Sequence, residues 1–124
     1  MVVAPNGSLI AAVGATTTDI VDTGTGSTLA HLNGQAVAFS GDGNVLVLDD
    51  RAVEWRTDHT LWLAPAGFSA IWVLSEPGGS AVALNLLSNQ GTTSPTPPFQ
   101  LWLVTSSTAI HIADGVVPSF VTSL

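Results

Sequence analysis

The chain has no cysteine, no lysine and no tyrosine, and Arg51 and Arg56 carry its only fixed positive charges. Without cysteine there is no disulfide framework, no thiolate nucleophile and no cysteine zinc site. With so few basic groups, a net charge of −7 repels a phosphate backbone. Nucleic acid and anionic membranes are therefore excluded as partners. Charged residues make up only 9% of the 124 positions, against about 25% in average domains. Solubility has to come from Ser, Thr, Asn and Gly, with some apolar surface left for a partner to cover. Long apolar runs are missing too, so no membrane span is expected. The N-terminus, MVVAPNGSLIAAVG, lacks a basic region and is broken by Pro5, Asn6 and Gly7. It predicts no signal peptide. The reading is a soluble chain whose compartment the sequence does not reveal. No long stretch carries a 3.6-residue apolar stripe, which predicts no helix.

What the chain does have is apolar residues, 46% of the total, in short runs punctuated by glycine. That content supports one ordinary core and argues against disorder over most of the length. Three turns stand out: Pro5-Asn6-Gly7, Gly41-Asp42-Gly43 and Pro77-Gly78-Gly79. Their closing glycines are 36 residues apart each time. Turn residues of this kind supply positive φ or a fixed φ at low steric cost. Each turn lies between two apolar runs of strand length, rich in Val, Leu, Ile and Ala. Each unit continues into a third run (19–21, 52–56, 99–104), a polar turn, and a fourth run (28–32, 61–63, 109–112) that leads to Gly34, Gly67 or Gly115. A four-strand unit, a-b-c-d, thus repeats three times. The third unit carries a Ser-, Thr- and Pro-rich insertion, 88–98, with the composition of an exposed loop. The tail, 116–124, follows Gly115 as 68–76 follows Gly67, and reads as a lone extra strand a.

The repeat resembles the WD40 type of β-propeller blade. Phe39-Ser40-Gly41-Asp42-Gly43 matches the family's first turn, and Phe99-Gln100-Leu101-Trp102-Leu103 its third strand. Glu54-Trp55-Arg56 and Ile20-Val21-Asp22 fill that third-strand place in the other units. The resemblance implies an all-β fold: blade 1 at 1–34, blade 2 at 35–67, blade 3 at 68–115, and an extra strand a at 116–124 for a neighbouring blade. Propellers close with four to eight blades, so three make an incomplete ring as a single chain. Two copies would give six blades and three copies nine. Val117, Phe120, Val121 and Ser123 of the tail are the expected oligomer contacts, by strand exchange onto the sheet edge of a neighbour.

The chemistry-bearing residues give weaker signals. His31, His59 and His111 fall in different units and are expected as surface histidines rather than as metal ligands. There is no Gly-x-Ser-x-Gly elbow to support a nucleophilic serine. Asp49-Asp50-Arg51 and Thr23-Gly24-Thr25-Gly26 read as turns. Trp72 and Trp102 sit inside apolar strands and are expected in the core. Trp62 alternates out of phase with Leu61 and Leu63, which predicts exposure or an interface. The Pro-rich loop supplies Gln90, Pro97, Pro98 and Phe99, which with Trp62 are the candidate partner-binding residues. Together these predict a non-catalytic, self-assembling binding or scaffolding module, with no cofactor and with a peptide or glycan as further ligand. The alternatives are a hydrolase or lyase with its site at the ring centre, or a sugar-binding propeller.

Overall fold

The computed structural model describes residues 1–88, 99–105 and 107–114. Among the described residues there are twelve strands and no helix, hence none long and apolar enough to cross a membrane. β1 (Val2–Val3), β2 (Leu9–Val13), β3 (Thr17–Asp22) and β4 (Thr28–Asn33) form the first sheet. β5 (Ala36–Phe39), β6 (Val45–Leu48), β7 (Arg51–Glu54) and β8 (His59–Leu63) form the second. β9 (Phe68–Ser75), β10 (Val82–Ser88), β11 (Phe99–Val104) and β12 (Ala109–Asp114) form the third. Each sheet is an antiparallel meander in chain order, the simplest outcome when consecutive short strands are joined by tight turns.

The 36-residue spacing is written into the backbone. Ala4 N donates to Leu9 O at 3.0 Å, Ser40 N to Val45 O at 2.8 Å and Glu76 N to Ala81 O at 3.0 Å. The turn bonds recur at the same step, Gly7 N to Ala4 O, Gly43 N to Ser40 O and Gly79 N to Glu76 O. Gly7 and Gly43 have φ of 75° and 77°, the left-handed conformation their turns require. The third turn differs from the other two. Its positive φ, 68°, lies at Gly78 and not at Gly79. Pro77-Gly78 supplies the fixed φ followed by positive φ that a type II turn demands.

The sheets stack face to face with an apolar layer at each junction. Leu9, Ala11, Ile20 and Leu32 of the first sheet meet Phe39, Leu46, Leu48, Val53 and Trp55 of the second. Val45, Val47, Ala52 and Trp62 of the second sheet meet Ala70, Val82, Leu84, Leu86 and Val104 of the third. β6 therefore buries all four of its residues, Leu46 and Leu48 on one side and Val45 and Val47 on the other. A strand covered on both faces reads as a continuous apolar run, and VLVL is one. β2 alternates instead: Leu9 and Ala11 are buried, while Ile10 is half-buried and Ala12 exposed.

Polar latches fix the stacking. Thr18, 1% exposed, donates from Oγ1 to Gly34 O and accepts from Ala36 N. Between the second and third sheets, Ser75 Oγ donates to Phe39 O at 2.7 Å, Asp42 N to Gly79 O at 2.9 Å and Ala70 N to Asp49 O at 2.8 Å. Gly41 lies against the Glu76 backbone so closely that a Cβ there would come within 2.0 Å of Glu76 O. The first strands run side by side, β1 touching β5 and β5 touching β9. Among the described residues no ring closes within the single chain.

Candidate functional site: the open faces at the two ends of the stack

The two junctions together consume one face of the first sheet, two of the second and one of the third. Among the described residues, one face of the first sheet and one of the third have no sheet against them. On β10, alternation turns Ala83, Asn85 and Leu87 away from the layer that holds Leu84 and Leu86. Register places Leu74 beside Ala83 and Trp72 beside Asn85 on β9, with Leu103, Leu101 and Phe99 across from them on β11. Ile110 of β12 pairs with Leu103. This face leaves Trp72 53%, Ile110 51% and Leu74 41% exposed. A cleft of about 500 Å³ opens at its turn end, lined mainly by Leu74, Pro77, Ala81, Ala83 and Leu103. Asn85 is 1% exposed and its Oδ1 has no hydrogen-bond donor. A buried carbonyl oxygen left unpaired is costly.

The open face of the first sheet is built the same way. Ile10 and Val21 pair across β2 and β3, and Val3 pairs with Ile10 from β1. Val3 is 52% and Leu29 47% exposed. The polar feature here is the ion pair between His31 Nδ1 and an Asp19 carboxylate oxygen, across the β3–β4 register.

Of the residues singled out in the sequence, Phe99 lies at the start of β11, half-buried, opposite Leu87 on the open face of the third sheet. Trp62 is a correction. It is 4% exposed and packs in the layer between the second and third sheets. Its ring stands 5.9 Å from Trp102, which stacks on His111 at 4.8 Å. The reason is a β-bulge: Ala52 pairs with Trp62 and Val53 with Thr60, so Leu61 is extra and the strand phase reverses. Trp72 is the mirror-image correction. A bulge at Ile71 pairs Ala70 with Leu86 and Trp72 with Asn85, which turns Trp72 from the expected core to the open face. No residue of FSAIWVLS marks where that bulge falls. Gln90, Pro97, Pro98, Val117, Phe120, Val121 and Ser123 lie outside the described residues.

The remaining polar groups serve turns. Asp42 accepts from Ser40 Oγ at 2.6 Å and from Asn44 N at 3.0 Å, and Ser40 Oγ accepts from Val45 N at 3.0 Å. Burial pushes the Asp42 carboxyl up, but these hydrogen bonds outweigh it and hold the group below its ordinary value. Asp50 pairs with Arg51 at 2.8 Å, and Arg51 reaches back to Asn33 O of the first sheet. His31, His59 and His111 are all exposed. Among the described residues no three His, Asp or Glu side chains come together to hold a metal ion. The arrangement supplies apolar contact surface with a few directional polar atoms. No protein-family model and no curated protein matches the chain.

Proposed function

We propose that this chain is a non-catalytic binding or scaffolding module, a WD40-like β-propeller whose ring is completed by further copies of the same chain. The observation that carries the reading is the pair of uncovered end faces. The two interior layers bury Leu46, Leu48, Val82, Leu84 and Leu86 completely, while the end faces leave Val3, Leu29, Trp72, Leu74 and Ile110 in water. Contiguous apolar surface of this kind marks an interaction site. Two copies give six sheets and three give nine. A peptide or glycan is the further ligand this reading assigns, taken by the Gln90, Pro97, Pro98 and Phe99 region. In the strand-exchange form of the reading, Val117, Phe120, Val121 and Ser123 carry the tail onto the inner edge of the neighbour's first sheet. β1, only two residues long, holds that edge, so the tail has to displace or extend it. Light scattering over a dilution series tests the proposal. Particles of more than one chain are expected, losing mass when 116–124 is removed. A chain that stays single and soluble at high concentration overturns it.

A further inference from the structure

We infer that the copies join head to tail: the open face of the third sheet receives the open face of the first sheet of the next copy, and two chains close a ring of six. This rests on the self-assembly reading above and adds to it the partner surface and the order of assembly. The warrant is positional. Leu46 and Val82 occupy the same place in the 36-residue repeat, and each is 0% exposed because the preceding sheet covers it. The third member of that series is Ile10, which is only half-buried, with no sheet among the described residues packed on its side. Phe39, 3% exposed, has Val3 as its counterpart, and Val3 is 52% exposed.

The receiving side tells the same story in reverse. Leu9 and Ala11 at 4% and 0%, and Val45 and Val47 at 1% and 0%, are the residues against which the next sheet packs. Their counterparts in the third sheet are Ala81 and Ala83, both only half-buried. Ala81 and Ala83 line the cleft of about 500 Å³ beside Leu74 and Leu103. The place that Leu46 fills in the layer with Ala11, and Val82 in the layer with Val47, is open there. Continuing the series puts Ile10 of a second copy into it. The junction is thus a third instance of one already present twice in the chain. Because the surfaces differ, the contact is heterologous and closes only as a ring. Six sheets fall within the four to eight that propellers use, and nine do not.

Ile10→Lys and Leu74→Lys test this, each placing a charge on one face only. Each variant alone should halve the particle mass, since in a two-chain ring either change spoils both junctions. An equimolar mixture should recover the two-chain mass, because one junction in the mixed pair is then native on both sides. Leu29→Lys and Ile110→Lys, at positions 47% and 51% exposed in the single chain, repeat the experiment where substitution leaves the fold undisturbed. Near-ultraviolet circular dichroism from Trp55, Trp62 and Trp102 confirms folding. An assembly lost with Ile10→Lys but intact with Leu74→Lys, or the converse, would mean like faces pair, and overturns the head-to-tail order while leaving self-assembly standing. Failure of the mixture to recover overturns it as well. A wild-type chain that is single throughout removes both.

Discussion

Replacing Gly41 by alanine probes the second junction directly. The φ of Gly41 is not in the left-handed region, so the turn itself tolerates a side chain. The neighbour does not. A Cβ at this position would stand 2.0 Å from Glu76 O, 2.7 Å from Gly78 N and 3.0 Å from Glu76 C. All three are backbone atoms of the adjacent sheet's turn, which no rotamer change can move aside. Restoring ordinary contact distances requires the two turns to separate by roughly 1.5 Å. Overpacking of this order costs about 1–3 kcal/mol. The separation also breaks the Asp42 N to Gly79 O bond of 2.9 Å, for a further net ~0.5–1.5 kcal/mol. The sum, about 2–4 kcal/mol, corresponds for a chain of this size to a melting temperature lower by roughly 8–16 °C. The assay is thermal unfolding by circular dichroism at matched chain concentration, since association would shift the midpoint. Gly43→Ala is the comparison. That residue has φ of 77° with only Leu9 Cδ1 at 3.5 Å and Ala4 Cβ at 4.0 Å nearby, so it pays mainly left-handed strain of about 1–2 kcal/mol. If Gly41→Ala melts no lower than Gly43→Ala, the turns are not packed as described.

Three other outcomes follow from the same contacts. Trp55→Phe should cost ~1–2 kcal/mol more than Trp62→Phe in chemical denaturation, because Trp55 Nε1 donates to Gly43 O at 2.8 Å while the buried Trp62 Nε1 has no partner to lose. Ser40→Ala should destabilise by about 1–3 kcal/mol, since Ser40 is 0% exposed and its Oγ is the acceptor for Val45 N. Asp42→Asn should flatten the acid limb of stability. Asp42 is held below its ordinary value, so its ionised form stabilises the fold above the unfolded-state pKa, and that contribution fades as pH falls through the folded value. Wild type and variant should therefore begin to converge in acid-induced unfolding as pH falls below about 3.9, and meet only below the lowered folded value. A constant offset at all pH values would contradict this.

The repeat was legible because its cause is local. The turns at Gly7 and Gly43 need left-handed glycine, and the intervening runs have strand length and β-branched content. Whether a strand is covered on one face or two was not written in the residues: VLVL in β6 and LIAAV in β2 are both continuous apolar runs, yet only β6 is buried on both faces. Nor could phase after a bulge be read. One extra residue, Leu61 in β8 or Ile71 in β9, exchanges the two faces of everything beyond it. Nothing in a short apolar run marks where that residue falls, so Trp62 and Trp72 exchanged places. The one-position shift of positive φ to Gly78 has a similar origin, because two adjacent glycines offer two turn types with the same outer hydrogen bond. The open faces were foreseeable as a consequence of counting three sheets. Their composition depended on the bulges.

The most direct test is to count the copies of this 124-residue chain in one particle by native mass spectrometry at micromolar concentration. Two chains per particle is the predicted result, with the apolar side chains of both end faces shielded by a neighbour. A single chain at every concentration, stable and folded, would show that the first and third sheets tolerate water on their open sides and would contradict the account.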